Sequence, residues 1–145
     1  MAIVNGIALE SNKNIRVNFE GGNLSSDAGL LLMKEFYHKF GVDTLAKAVF
    51  HTTDPGHIRY HKDHDNLLQM LYQITAAYFQ DDHADALRHD PAITAAVGKE
   101  TLASQPTLSR FHNRLDEHTL AQLEEIQKTL RRRAYSIKIP ENIVF

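Results

Sequence analysis

The chain has 145 residues, with 16 Lys or Arg against 18 Asp or Glu for a formal net charge of −2, an apolar share of 43% and no cysteine. That length holds one domain, or one domain and the start of another, and the apolar share supports a real core and excludes general disorder. Slight acidity excludes a uniformly basic nucleic-acid binder while leaving room for local basic faces, and the lack of cysteine excludes disulfides and thiolate zinc sites.

Met1 to Leu9 lacks the basic segment that opens a signal peptide, and no apolar run approaches the length of a bilayer span. The expectation is a soluble, cytoplasmic protein. Ile15, Val17 and Phe19 alternate with polar residues as a short half-buried strand, which Gly21-Gly22-Asn23 ends as a turn. Ser25 and Ser26 offer capping hydroxyls, and Asp27 suits a first helical turn, so a helix is expected from Asp27 to Phe40 with Gly41 as its C-terminal cap. Its apolar positions (Leu31, Leu32, Met33, Phe36, Tyr37, Phe40) span so wide an arc that it belongs at the centre of the core.

A short helix over Thr44–Phe50 and an ordered loop over His51–His64 come next, followed by a helix capped by Asp65 with Leu67, Leu68, Leu71, Ile74 and Tyr78 on one face. Asp81–His89 reads as a short helix with an acidic outer side, and Pro91 opens another that ends at Gly98. Pro106 opens a helix with Leu108, Phe111 and Leu115 as its apolar stripe. The last helix, Glu117–Ala134, carries Leu120, Leu123, Ile126 (or Gln127) and Leu130 along one side, before an apolar strand at Asn142–Phe145.

Three blocks resemble the N-terminal region of bacterial insertion-sequence DDE transposases of the thirteen-eighty group. They are Asn23-Leu-Ser-Ser-Asp-Ala-Gly-Leu-Leu-Leu32; the run from His61 through Asn66-Leu-Leu68 and Tyr78 to Asp85-Ala-Leu-Arg88-His-Asp90-Pro91; and Leu102-Ala-Ser-Gln-Pro-Thr-Leu-Ser-Arg-Phe111 with Asn113-Arg114. The resemblance implies a mainly α fold: a helical DNA-binding and assembly domain over 1–138, then residues 139–145 as the first strand of an RNase H-like catalytic domain. In the family an aspartate follows on that strand, so the expectation is a fragment, inactive alone, of an enzyme that uses two magnesium ions in DNA strand transfer. Implied partners are duplex DNA carrying the element's ends and a second copy of the full-length protein, in the bacterial nucleoid.

No catalytic residue is assigned. Two-metal chemistry needs acids fixed on rigid neighbouring elements to hold ions about 3.5–4 Å apart. The densest acids, Asp81, Asp82, Asp85 and Asp90, suit a solvated face or helix-end capping instead. His57, His61 and His64 have an i, i+4, i+7 spacing that suits zinc or nickel on a helix, but Pro55-Gly56 argues against a continuous helix there. No metal ligand is assigned, and His61 is expected to order its loop or meet a DNA phosphate.

The Pro106 helix is the candidate DNA face. Ser109, Arg110, Asn113 and Arg114 share its outer side, and Gln105 and Thr107 stand at its N-terminus, as in recognition helices. From Pro106 to Lys138 seven basic residues face four acidic ones, a net charge of +3, and Arg131, Arg132 and Arg133 complete the candidate contacts. The competing reading is an ordinary amphipathic helix, with Arg131–Arg133 complementing a neighbouring helix's C-terminal dipole. A strict helix-turn-helix fits poorly, because seven residues (Lys99–Gln105) separate two helices that the motif joins through about 3–4. The alternative function is a non-enzymatic helical oligomerisation module, self-associating through the Asp27–Phe40 and final helices, or a DNA-binding regulatory module.

Overall fold

A computed structural model describes residues 6–18, 27–54, 58–80 and 82–138. These form a two-stranded antiparallel hairpin, β1 (Ile7–Ala8) and β2 (Arg16–Val17), and seven helices. The helices are α1 (Leu30–Phe40), α2 (Val42–Val49), α3 (Asp63–Thr75), α4 (His83–Ala86), α5 (Pro91–Val97), α6 (Gln105–His112) and α7 (Glu117–Ile137). The expected strand is thus half of a hairpin, pairing Ile7 with Val17. Phe19, Gly21–Asn23, Ser25, Ser26 and the expected C-terminal strand lie outside the described residues. Glu35 ties the hairpin to α1 by accepting from the backbone N–H groups of Glu10 (2.8 Å) and Ser11 (3.0 Å) and from the Ser11 hydroxyl.

α3 is the organising element, packed against α2, α5 and α6. Leu68 and Tyr72 join Leu30 and Tyr37 of α1 and Ile93 and Ala96 of α5 in the main core. Phe50, Phe111 and Ile126 form a second cluster at the α6–α7 side, and Ala84, Ala103 and Leu108 a third. Because helices surround α3, its polar positions are buried too. Asn66, Gln69 and Gln73 are as enclosed as its leucines. Gln69 closes a two-way pair with Ala103, donating to its carbonyl (2.9 Å) and accepting from its N–H (2.8 Å), which docks the loop before α6.

Several expectations need correction. α1 starts at Leu30, after Asp27, whose carboxylate accepts from the Tyr78 hydroxyl (2.9 Å). α1 is not apolar-in all round: Leu32 and Phe36 are half exposed, while Lys34 is buried and donates to the Ala96 carbonyl at the end of α5. α2 begins at Val42 rather than Thr44, immediately after the glycine. α3 starts two residues before Asp65, which serves as its third residue and accepts from the Lys62 N–H (3.1 Å); Ile74 is exposed and Tyr78 lies beyond the helix. Of the described residues 82–89 only His83–Ala86 are helical, Leu115 lies outside α6, Leu120 is exposed, and α7 runs on to Ile137. The Pro91–Gly98 helix stands as expected. Its start is held by Asp90, which accepts from Ala92 and Ile93 (both 2.9 Å).

Gly41 has φ +76°, and a Cβ there would meet the Arg133 guanidinium, which donates to the Phe40 carbonyl at the α1 terminus. Gly41→Ala is therefore expected to cost about 1–2 kcal/mol from left-handed backbone strain. A two-state urea melt checks this, and Arg133→Ala in the same background should add less than its cost alone.

Candidate nucleic-acid interface

α6 stands on buried Leu108 and Phe111 and turns its other side outward. Ser104 precedes it as N-cap, its hydroxyl 3.0 Å from that of Thr107, and Pro106 occupies the first turn, where a missing N–H costs nothing. The Gln105 N–H is taken by the Asp85 carboxylate (3.0 Å), so an acid already answers part of this helix's N-terminal dipole. Seven residues, Gly98–Ser104, separate α5 from α6, and α6 packs chiefly on α3 and α4, an arrangement distinct from a helix-turn-helix.

The nine expected contact residues divide into distinct groups. Arg110 and Asn113 are exposed, and among the described residues Arg110 has no ion-pair partner. Gln105, Thr107 and Ser109 are partly covered. Arg114 shares the outer side, but its charge is engaged: it donates to Asp63 (2.9 Å), lies 3.9 Å from Asp54, and crosses the Phe111 ring. Arg131 and Arg132 are exposed at the far end of α7, on the order of 20 Å along its axis from Glu117 at 1.5 Å per residue. Arg133 bonds the Phe40 carbonyl, so the dipole-complementing role foreseen for the triplet holds for this arginine.

A groove of about 410 Å³ runs beside α6. Thr107, Arg110 and Arg114 line one wall, Arg59, Tyr60 and His61 the other, and Asn66 lies between. Arg59 and Tyr60 were not singled out from sequence, and Asn66 entered only within the Asn66-Leu-Leu68 block; the Arg59-Tyr60-His61-Lys62 run of basic and aromatic residues was the available signal for the first two. Tyr60 is 56% exposed, its ring edge-on to His61 and beneath the Lys99 ammonium. Lys99 also donates to the Tyr60 carbonyl (3.0 Å) and pairs with Asp65 (2.8 Å), which fixes the loop onto α3. Burial, and after it the Lys99 charge, hold the His61 imidazole below its ordinary pKa, so it stands neutral at pH 7. It offers the groove a hydrogen bond rather than a cation.

Asp63 fastens this wall. It accepts from the Thr52 N–H (2.9 Å) and hydroxyl (2.8 Å) and from Arg114, with Arg59 at 3.6 Å. Burial works against the carboxylate, but the Thr52 bonds and Arg114 outweigh it and hold its pKa below the ordinary 3.8. A depressed folded-state value means that the stabilisation is fully present above the unfolded pKa of 3.8 and fades as pH falls through the folded one. Asp63→Ala is expected to cost about 2–3 kcal/mol at pH 7, given bonds to a charged group. In urea titrations the variant should lose less stability than the parent on acidification below that value.

The metal chemistry implied by the resemblance finds no fitting donor set among the described residues. No three of their His, Asp or Glu side chains are grouped to hold an ion. The nearest acids are engaged: Asp85 with the Gln105 N–H, Asp90 with α5, Asp63 with Arg114, and Asp65 with Lys99. His64 lies 3.4 Å from Asp65, and His57 and Asp81 lie outside the described residues. Among the described residues no helix is long and apolar enough to cross a membrane.

No curated protein and no solved structure matches the chain. The family described as "Transposase DDE domain group 1" matches it over residues 7–145, from the hairpin through every helix. DDE transposases generally use divalent metal ions in DNA transposition. With nearly its whole length matched, the chain belongs to the DDE transposase family.

Proposed function

We propose that the helical region, residues 1–138, binds the duplex ends of an insertion sequence and takes part in assembling the transposition complex in the bacterial nucleoid. The observation that carries this reading is Arg110, exposed and without an ion pair among the described residues, beside Asn113 on the outer side of a firmly docked α6. In a chain of net charge −2, a free guanidinium next to an exposed carboxamide suits phosphate and base-edge contact. Gln105, Thr107 and Ser109 extend that surface, Arg114 positions its edge from the Asp63 network, and Arg131 and Arg132 offer a second, separate phosphate contact. Arg133 contributes by fixing α7 to α1. The divalent-metal chemistry of the family is assigned to acids outside the helices, so strand cleavage is not placed on them.

Fluorescence anisotropy with duplex carrying the element's ends and with random duplex, each at several salt concentrations, tests the reading. Tighter binding of the ends, weakening as salt rises, is expected. Equal affinity for both duplexes would sink end recognition.

A second reading concerns assembly. Leu32 and Phe36, half exposed on α1, with Phe36 stacked on Phe40 at 5.1 Å, form an apolar ridge suited to a second copy of the chain. Light scattering should then show a dimer that Phe36→Glu dissociates, and a monomer at high concentration would exclude it.

A further inference from the structure

We infer that the basin bounded by α1, α2, the start of α3 and the end of α5 binds phosphate carrying two negative charges, held by the ammonium groups of Lys47 and Lys62. The basin is a cavity of about 740 Å³ and shares no lining residue with the groove beside α6, so it stands independently of the DNA-binding reading. The first ground is charge. Four lysines line it, Lys34, Lys47, Lys62 and Lys99, against two acids, Asp43 and Asp65. Both acids are already answered. Asp65 pairs with Lys99 at 2.8 Å, and the Asp43 charge favours the Lys34 ammonium. Lys34 is 8% exposed and donates to the Ala96 carbonyl, which also answers the end of α5, where the helix dipole disfavours an anion. Lys47 and Lys62 remain: both are exposed, and neither has an ion pair among the described residues. In a chain of net charge −2, two unmatched ammonium groups on one cavity make it a local anion trap.

The second ground is that these charges converge. The His64 imidazole on the cavity wall is held below its ordinary pKa by burial first, and then by the charges of Lys47, Lys62 and Lys99. It stays so although Asp65, 3.4 Å away, pulls the other way. Lys47 also adds to the burial that lowers the Lys34 pKa. One half-buried ring thus feels lysines from α2, from the residue before α3 and from the loop after α5, so their field meets within the cavity. Two lysine point charges suit a dianion with several acceptor oxygens, whereas a lone carboxylate would answer one ammonium and leave the other. Neutral His64 and the exposed Thr44 hydroxyl offer such oxygens further hydrogen bonds. The volume lies within the roughly 300–1,000 Å³ span of small-ligand pockets. A free diphosphate and two neighbouring phosphates of a nucleic-acid backbone share this chemistry.

The test is an NMR titration of the 145-residue chain with inorganic pyrophosphate at constant ionic strength. The side-chain signals of Lys47, Lys62 and His64 should shift saturably with one common Kd, while those of exposed Lys128 on α7 should not. Bound anion should also raise the His64 pKa, because it offsets the lysine charges that lower it. Lys47→Gln and Lys62→Gln, both at exposed positions, should each weaken binding about ten-fold, as loss of one charge-assisted hydrogen bond does. Shifts that do not saturate, Lys128 moving in step with Lys47, or variants that bind like the parent would overturn the inference. Competition assigns the source. A random duplex that displaces pyrophosphate makes a nucleic-acid backbone the ligand, one that does not makes a free diphosphate the ligand, and both support the site. Pyrophosphate binding without any duplex binding supports the cavity and overturns the DNA-binding reading, whereas duplex binding without a pyrophosphate response overturns the cavity and leaves that reading intact.

Discussion

Replacing Gln69 with Leu is expected to destabilise the protein by about 2–6 kcal/mol, because two buried backbone groups lose their partners at about 1–3 kcal/mol each. The substitution nearly conserves volume, so cavity formation contributes little. Gln69 imitates a strand neighbour: its amide accepts from the Ala103 N–H and donates to the Ala103 carbonyl at 2.8 and 2.9 Å, all of it buried. The loop it holds also places Leu102 in the main core and Ala103 against Leu108, so its release frees α6. Urea denaturation should report the lost stability, and hydrogen exchange should show the Ala103 amide losing protection ahead of the α7 amides. A stability change below about 1 kcal/mol would mean that the pair is not the anchor described, since that is the worth of an ordinary hydrogen bond.

Phe111→Ala should cost about 3–5 kcal/mol, the usual range for truncating a buried phenylalanine. Phe111 is 0% exposed, meets Phe50 edge-on at 6.0 Å, and shares its cluster with Ile126 of α7. It therefore joins the end of α2 to α6 and α7. Calorimetry should show a melting temperature lower by on the order of 10 °C for a chain of this size. Leu120→Ala, 58% exposed on α7, is the control and should stay within about 0.5 kcal/mol of the parent. If the two variants melted alike, the assignment of the second core cluster would be wrong.

Sequence periodicity located the helices wherever one face meets the core and the other meets solvent. The Pro91–Gly98 helix shows this best, because proline at its start and glycine at its end act locally. Periodicity misled at α3 and α1, and for one reason. Polarity stands for exposure only when a helix has an open side, and α3 has neighbours on several. Its Asn66, Gln69 and Gln73 are buried by those neighbours, which a single helix's pattern does not encode. In α1, Lys34 goes inward because the end of α5 presents a carbonyl to it, while Leu32 and Phe36 are left outside.

The candidate site was legible in the same partial way. The outer face of α6 follows from Leu108 and Phe111, and Arg110 and Asn113 lie where that face predicts. What sequence spacing could not supply was the opposite wall, Arg59 and Tyr60, set by a contact with a loop some fifty residues away, or the capture of Arg114 by Asp63. An arginine's type is readable from sequence, but its ion-pair partner across the fold is not.

On the DNA-binding reading Arg110 meets phosphate, while Arg114 is held within the protein by Asp63. The most direct measurement is the salt dependence of end-duplex affinity for the parent and for Arg110→Gln, with thermal melting of both. A log–log salt slope shallower by about one is expected for Arg110→Gln at unchanged stability, from the loss of one phosphate contact. Identical slopes and affinities for the two proteins would contradict it.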